Sequence, residues 1–199
     1  MIVKPITLEG EAVRLEPLSL DHLPALADIG LDERLWKWTA NFVRNANDME
    51  AYVRAALADQ EHGVALPFVT VDRTTSRVVG STRFGNIDRN NRKVEIGWTW
   101  VSPHWQRTAI NTEAKLLMLT HAFEVWDCIR VEFKTDANNN QSRNAIHRIG
   151  AVEEGVLRNH MITDSGRYRD SVYFSIIDSE WPVAKSRLIG MMAGAAGNS

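Results

Sequence analysis

The sequence predicts an α/β domain with a mixed sheet, in the order β-α-α-β-β-β-α-β-α-β-β. Short segments alternate apolar and polar side chains, as strands with one buried face do. Longer segments between them repeat apolar residues at helical spacing. A strand–loop–helix unit over residues 93–126 forms the centre of this pattern. An alternation of this kind is typical of a sheet covered by helices.

Composition and length restrict the class of protein. The 199 residues predict a single domain over residues 1–190, followed by a disordered tail of small, uncharged residues over 191–199. The 23 basic and 25 acidic residues give a net charge of −2, which supplies no electrostatic reason to bind nucleic acid or anionic lipid. No secretory signal or membrane-spanning stretch is evident, so we expect a cytoplasmic protein.

The N-terminal part is predicted to contain one strand and two helices. Residues 12–18 alternate as a strand does, and residues 21–29 repeat apolar side chains at helical spacing. Asn47 and Glu50 form a capping pair that opens the second helix, and Gly63 follows it as a stop.

Three strands and the longest helix form the middle of the chain. Residues 66–71 and 78–84 flank a polar turn and predict a hairpin, and Lys93–Val101 alternates strictly. Residues 111–126 form a helix that is apolar around more than half its circumference, so we expect it to be buried against the sheet.

The C-terminal part continues with a strand, a short helix and a hairpin. Arg130–Asp136 predicts the strand, and the helix ends at Gly150, a residue that favours helix C-termini. Residues 156–163 and 169–177 predict the hairpin, whose edge strand could pair in a homodimer.

The loop between the central strand and the long helix is a candidate anion site. A helix N-terminus presents unpaired backbone N–H groups and a favourable dipole, which suit a phosphate or pyrophosphate. The loop here spans residues 101–112. Spacing alone does not separate this loop from the strand-to-helix loops of other α/β proteins.

This loop resembles the coenzyme A loop of the GNAT N-acetyltransferase superfamily, which reads R/Q-x-x-G-x-G/A. Gln106 matches the first position, Ala109 replaces the first glycine, and Asn111 replaces the second small residue. Alanine still lets the backbone approach a phosphate, and Asn111 could cap the helix with its own side chain. Glu113 suits the helix dipole but would repel a pyrophosphate unless it points away.

Two further motifs resemble the branch that contains the ribosomal-protein alanine acetyltransferases. Asn139-x-x-Ser142, with Gly150 eight residues later, is similar to its N-x-x-S…G-F signature, although Ala151 stands where phenylalanine is usual. The segment that begins Glu95-Ile-Gly fits the E-I-G-aromatic strand of the branch. The resemblance covers roughly residues 12–181.

The resemblance implies a fold, an activity and a cosubstrate. The fold is a mixed, mostly antiparallel central sheet of about seven strands flanked by about four helices. The activity is acetyl transfer from acetyl-CoA to a primary amine of a protein N-terminus, an amino acid or a small molecule, in a direct ternary complex without a metal. Two alternatives stay open: a different acyl donor such as succinyl-CoA, and an inactive coenzyme A-binding or interaction module.

The resemblance also implies which residues bind the cosubstrate. The backbone at the end of the central strand, the loop and the first helical turn would hold its phosphates and thioester, and Asn139 would hold the pantetheine arm. These residues are Trp100, Val101, Gln106, Arg107, Thr108, Ala109, Ile110, Asn111, Thr112 and Asn139.

Two residues are candidates for proton transfer. Glu95 lies mid-strand opposite an apolar row, so it is either a general base for the acceptor amine or an ion-pair partner of Arg83. Ser142 is either the acid that protonates the leaving thiolate or a helix cap. Ile146 stands where many members carry a tyrosine acid, so that group is missing here.

Other side chains have competing interpretations. Trp36 and Trp38 lie where the superfamily lines its acceptor pocket, although paired aromatic residues are also common in cores. The six histidines show no ligand spacing, so no metal site is predicted. Cys128 stands alone, which excludes an internal disulfide and favours a small buried hydrophobic role.

Overall fold

The structure, a computed structural model, describes residues 1–196 and contains an eight-stranded sheet with helices on both faces. The strands are β1 (Leu8–Glu9), β2 (Val13–Pro17), β3 (Leu66–Asp72), β4 (Arg77–Asp88), β5 (Lys93–Val101), β6 (Arg130–Asp136), β7 (Val152–Ile162) and β8 (Tyr168–Ile177). Their order in the sheet is β1-β2-β3-β4-β5-β6-β8-β7. Within the described residues, β5 and β6 are parallel and every other neighbouring pair is antiparallel.

In the described part of the chain, six α-helices connect and cover these strands. They are α1 (Leu23–Gly30), α2 (Glu33–Trp36), α3 (Ala46–Glu61), α4 (Ala109–Thr120), α5 (Asn140–Arg148) and α6 (Trp181–Ala196). A π-helical turn, His121–Val125, continues α4. The predicted mixed α/β fold is confirmed, with β1, α2 and α6 added to the predicted elements.

Two helices begin at positions other than those predicted. The cap of α3 is Asn45, whose Oδ1 accepts a hydrogen bond from the Asp48 amide at 3.0 Å, so Asn47 lies inside the helix. The cap of α4 is Thr108, so that helix starts two residues before Asn111. In both places another residue of a type that favours helix N-caps stands two or three residues earlier in the sequence and forms the cap.

The C-terminal helix corrects the prediction of a disordered tail. Helix α6 continues through Ala196, so most of the segment 191–199 is helical, and residues 197–199 lie outside the described part. Alanine and methionine favour helices, and Trp181 and Leu188 bury one side of α6 against the core. Trp181 also stacks on Phe123 with ring centroids 5.3 Å apart. The extent of the single domain stays a prediction.

The hydrophobic core occupies both faces of the sheet. On one face the sheet packs against α4 and α6, and on the other it packs against α1, α2 and α3. Cys128 is buried in the first layer, where burial raises the pKa of its thiol to about 11 and leaves it a hydrophobic packing residue. Across residues 1–196, no helix combines the length and the apolar character needed to cross a bilayer.

The sheet opens between its two parallel strands. Strands β5 and β6 pair only from Lys93 to Glu95 on one side and from Arg130 to Glu132 on the other. Beyond these residues β5 stays paired with β4 and β6 with β8, so the ladder between β5 and β6 ends there. We call the unpaired region between the two strands the cleft. Helix α4 follows β5 directly and begins near this cleft.

Candidate active site

The cleft begins next to an irregularity in β5. The register between β4 and β5 shifts between Ser81 and Arg83, and Trp98 has a φ of 49°, in the left-handed region. A β-bulge of this kind interrupts the ladder and redirects the backbone. The bulge lies three residues after Glu95, so backbone groups and a carboxylate meet where the strands separate.

The last peptide group of β5 points toward the cleft. The Ser102 amide donates to the Val79 carbonyl of β4 at 2.8 Å. Because successive residues of a strand point their backbone groups to opposite sides, the N–H and C=O groups of Val101 face away from β4 and toward the cleft. The Val101 carbonyl accepts from Gln106 Nε2 at 3.0 Å, and Gln106 Oε1 accepts from Gln141 Nε2 at 3.3 Å. Gln106 therefore joins the end of β5, the loop and the start of α5.

The first turn of α4 offers backbone donors beside this bridge. The Thr108 hydroxyl donates to the Trp105 carbonyl at 2.7 Å and lies 3.4 Å from the Ile110 amide, which it caps. A helix leaves its first amides without intrahelical acceptors, so the Ala109 and Asn111 N–H groups are available to a ligand. Arg107 is exposed and has a φ of 64°, a strained value for a residue with a side chain, and such strain is often found at functional loops.

The side chains of this turn fit a polar ligand in part. Asn111 does not cap the helix as expected, and its buried Oδ1 lacks a hydrogen-bond donor among the described residues. The Thr112 hydroxyl instead accepts from Arg148 Nη2 at 3.2 Å, which brings a cation from α5 to the same turn. The free amides and the nearby guanidinium suit a phosphate, and the unpartnered Asn111 oxygen suits an N–H donor of a ligand, so we call this group of residues the cradle.

Glu113 points away from this cradle. Its carboxylate is buried and accepts hydrogen bonds from the amides of Glu11, Ala12 and Val13 at 2.8, 2.7 and 2.8 Å. A Cβ on Gly10 would lie 2.4 Å from the Glu113 carboxyl carbon, so this turn requires glycine. Glu113 therefore fastens the start of β2 to α4 and leaves the anion site free of its charge.

A buried lysine that the sequence analysis missed lies on the same helix. Lys115 is 7% exposed, and its Nζ is 2.7 Å from Thr99 Oγ1 and 3.4 Å from Thr82 Oγ1. Burial lowers its pKa from 10.5 to about 7, and no carboxylate of residues 1–196 pairs with it. Both threonine hydroxyls lie 3.4 Å from the Gly97 carbonyl, so Lys115 supports the bulge from the α4 face.

Glu95 lies on the opposite face, at the apex of the cleft. It is 3% exposed, and its Oε2 accepts from Asn86 Nδ2 at 2.8 Å and lies 3.4 Å from Lys134 Nζ on β6. The predicted alternative, a pair with Arg83, is wrong, since Arg83 instead lies 3.4 Å from Asp59 and beside the Trp98 ring. The parallel neighbour β6 supplies the partner of Glu95.

Helix α5 begins at the far side of the cleft. Asn139 caps it, with Oδ1 accepting from the Ser142 amide at 3.0 Å, so the capping alternative applies to Asn139. Its Nδ2 group takes part in no hydrogen bond of the described residues. Ser142 is the third residue of α5 and is partly buried. Their roles toward a pantetheine arm and a leaving thiolate stay predictions.

The two tryptophans of the N-terminal layer occupy different environments. Trp36 is 2% exposed, donates from Nε1 to the Gly30 carbonyl at 2.7 Å, and packs on Trp100 with ring centroids 5.6 Å apart. Trp38 is partly buried in a loop, with the Arg167 guanidinium 5.7 Å from its ring centroid. Trp36 and Trp100 are thus core side chains, and the expected acceptor contacts of Trp36 and Trp38 stay predictions.

A polar face that the sequence analysis did not recognise surrounds Glu95. Strand β6 alternates between core residues and the polar residues Glu132, Lys134 and Asp136, which share one face with Tyr173 of β8. The strict alternation of β6 in the sequence is the signal that could have identified this face. Among residues 1–196, no three His, Cys, Asp or Glu side chains are grouped in a way that could hold a metal ion.

Comparison with protein families and curated proteins gives consistent results. Residues 12–152 match the acetyltransferase (GNAT) domain family. The chain is 31% identical over 169 residues to the "Putative ribosomal N-acetyltransferase YdaF" of Bacillus subtilis, covering 84% of this chain and 90% of that protein. It is 23% identical over 176 residues to the ribosomal-protein-serine acetyltransferase of Escherichia coli, covering 86% and 96%.

Solved structures show the same architecture. A GCN5-related N-acetyltransferase from Brucella melitensis superposes with a TM-score of 0.86 at 30% identity, covering 96% of this chain and 86% of that chain. RimJ of Mycobacterium smegmatis, solved in complex with CoA-disulfide, superposes with a TM-score of 0.78 at 26% identity, covering 90% and 88%.

Proposed function

Since this chain belongs to the GNAT acetyltransferase family and is an acyltransferase, we propose that it moves an acetyl group from acetyl-CoA to a primary amine. The observation that carries the proposal is the cleft between β5 and β6. A buried carboxylate lies at the apex of this cleft and free helix amides lie at its mouth. This arrangement can hold a phosphorylated thioester on one side and receive an amine on the other.

In the proposed reaction the α4 turn binds the pyrophosphate. The amides of Ala109 and Asn111 donate to its oxygens, and the helix dipole and Arg148 add favourable charge. The Val101 N–H faces the cleft and donates to the pantetheine arm or the thioester carbonyl. The Nδ2 group of Asn139 donates to the same arm.

Glu95 acts as the general base in the proposed reaction. An amine with an ordinary pKa near 10.4 is protonated at neutral pH and must lose a proton before it attacks the thioester. Glu95 accepts that proton directly or through a water, while Asn86 and Lys134 hold the carboxylate in place. The attack forms the amide bond and breaks the carbon–sulfur bond, and Ser142 delivers a proton to the departing thiolate.

The experiment that tests this proposal measures thiol release from acetyl-CoA with a panel of amine acceptors. We expect Glu95→Gln to lower kcat about 10²–10⁴-fold, with the smallest loss at high pH, where the amine deprotonates unaided. Glu132→Gln is the matched control, because Glu132 is directly opposite Glu95 in the register but pairs with Lys93 and Arg130. Full turnover by Glu95→Gln would remove Glu95 from the mechanism.

The same panel tests the donor. Acetyl-CoA and succinyl-CoA are compared with each acceptor, and the proposal requires faster thiol release from acetyl-CoA. Binding of acetyl-CoA without thiol release, for every acceptor in the panel, would instead identify an inactive coenzyme A-binding module.

A further inference from the structure

One buried arginine beside the proposed acceptor face has a guanidinium nitrogen that finds no hydrogen-bond acceptor within residues 1–196. Arg169 lies on β8 and is 7% exposed. Its guanidinium donates to no acceptor within residues 1–196, and its Nε is fully buried without a partner. The nearest carboxylate oxygen, Asp136 Oδ2, is 4.0 Å from Nε. A buried guanidinium nitrogen without an acceptor is costly, so its environment points to an anion that completes it.

Asp136 does not hydrogen-bond Arg169, because its Oδ2 is 4.0 Å from Nε and its carboxylate is held by other donors. Asp136 is completely buried, binds the Arg167 guanidinium, and accepts from the Asn138 amide at 2.9 Å. Burial lowers the pKa of Arg169 below its ordinary value, and the charge of Asp136 compensates only in part. The charge of Asp136 therefore neutralises Arg169 only in part, and the two side chains do not form a hydrogen-bonded ion pair.

Arg169 and Glu95 lie on the same face of the sheet. Arg169 precedes Ser171 by two residues on β8, and Ser171 is directly opposite Asp136, so Arg169 shares the polar face with Tyr173 and Lys134. Burial and, to a smaller extent, the charges of Lys134 and Arg169 lower the pKa of His160 on β7. Lys134, Arg167 and Arg169 therefore place cations beside Glu95 and Asp136 on this face, where a carboxylate of an acceptor would meet positive charge.

The β7–β8 turn and the loop between α2 and α3 contact each other beside this polar face. The Asp164 amide in the β7–β8 turn donates to the Ala40 carbonyl at 2.9 Å, and Asp164 Oδ2 accepts from the Phe42 amide at 2.9 Å. Arg167, from the same turn, lies against the Trp38 ring. These contacts hold the turn that precedes Arg169 against the loop between α2 and α3.

We propose that Arg169 binds a carboxylate of the acetyl acceptor, so that the acceptor carries this carboxylate near its reacting amine. The guanidinium fork matches a carboxylate in shape and charge. Two sources share this chemistry: the α-carboxylate of a free amino acid, and an acidic side chain next to the N-terminus of a peptide. The inference rests on the proposed acetyl transfer.

The test compares acceptors that differ only in the carboxylate. Thiol release is measured with amino acids against their amides, and with Ala-Asp amide against Ala-Asn amide. We expect kcat/KM of wild type to be at least about tenfold higher for the carboxylate acceptor than for its amide in one of the two pairs. A charged hydrogen bond contributes an effect of this size. The pair that shows the preference identifies the source of the carboxylate.

The variants test whether Arg169 is responsible. We expect Arg169→Met to raise KM for the carboxylate acceptor about 10–100-fold, while kcat and KM for the matching amide stay within about twofold. Arg169→Lys should restore part of the affinity, because it keeps the charge. Arg158→Met, on the exposed side of β7, is the control and should change neither KM. Equal use of carboxylate and amide by wild type, or equal losses for both in Arg169→Met, overturns the inference.

A binding measurement separates this inference from the transfer reaction itself. Carboxylate acceptors should raise the melting temperature of wild type but not of Arg169→Met, and amides should raise neither. If wild type releases no thiol with any acceptor, acetyl transfer is refuted, and the thermal shift still decides whether Arg169 holds a carboxylate. A thermal shift that is the same in both proteins overturns the carboxylate site whatever the turnover.

Discussion

The buried Lys115 gives a quantitative prediction about stability and pH. Burial lowers its pKa from 10.5 to about 7, so between these values the unfolded chain binds a proton that the folded chain does not. Stability contributed by this group therefore rises with pH across the window from 7 to 10.5 and is constant below it. A separation of about 3.5 pKa units corresponds to a penalty of about 5 kcal/mol at the acidic end of the window.

Lys115→Met removes that penalty and keeps most of the side-chain volume. It also loses the hydrogen bonds to Thr99 and Thr82, which contribute about 1 kcal/mol each. We therefore expect the variant to exceed wild type by about 3 kcal/mol near pH 6.5, and to fall below it by about 2 kcal/mol near pH 10.5.

Urea unfolding of both proteins across this pH range measures the difference. Lys4→Met, at an exposed lysine, is the control and should show a difference that does not depend on pH. A constant difference between Lys115→Met and wild type at every pH would refute the reasoning, because it would mean that the ammonium is not desolvated.

Three further variants test the α4 turn and its neighbour α5. Glu113→Gln leaves backbone amides of the β2 turn without an acceptor and should cost about 2–4 kcal/mol in urea unfolding; a gain in acetyl-CoA affinity would mean that Glu113 faces the phosphate after all. Asn139→Ala should weaken acetyl-CoA binding about two- to tenfold by calorimetry, whereas a drop in melting temperature alone would limit Asn139 to capping. Ala109→Pro deletes a proposed phosphate donor and should weaken binding about tenfold or more; unchanged affinity in a folded variant would move the phosphate site elsewhere.

The strands and the central helix can be predicted from the sequence because their patterns lie within contiguous residues. Alternation along β5 and β6 and the apolar stripe of α4 follow from which face of each element is buried. The ends of the helices depend on more than these local patterns. Asn45 and Asn47 can both cap a helix, and only the packing of α3 decides between them. Helix α6 contains two glycines, yet Trp181 and Leu188 anchor it, and that contact is invisible in the segment itself.

The sequence likewise predicts some parts of the candidate site and not others. The position of the proposed coenzyme A loop and of Glu95 follows from motif spacing, since both belong to contiguous segments. The partner of Glu95 does not, because Lys134 reaches it only through the parallel pairing of β5 with β6. The unsatisfied guanidinium of Arg169 is equally beyond the sequence, because it depends on Asp136 being occupied by Arg167.

Helix α4 connects the two ends of the proposed site through one of its faces. Asn111 and Lys115 are four residues apart and therefore lie one above the other on the helix surface. One leaves a buried oxygen without a donor in the first turn, and the other reaches the threonines that support the bulge of β5. Glu113, between them in sequence, turns to the β2 amides instead. Lys115 and Thr99 therefore link this face of α4 to the Gly97 carbonyl, two residues after Glu95, the proposed base.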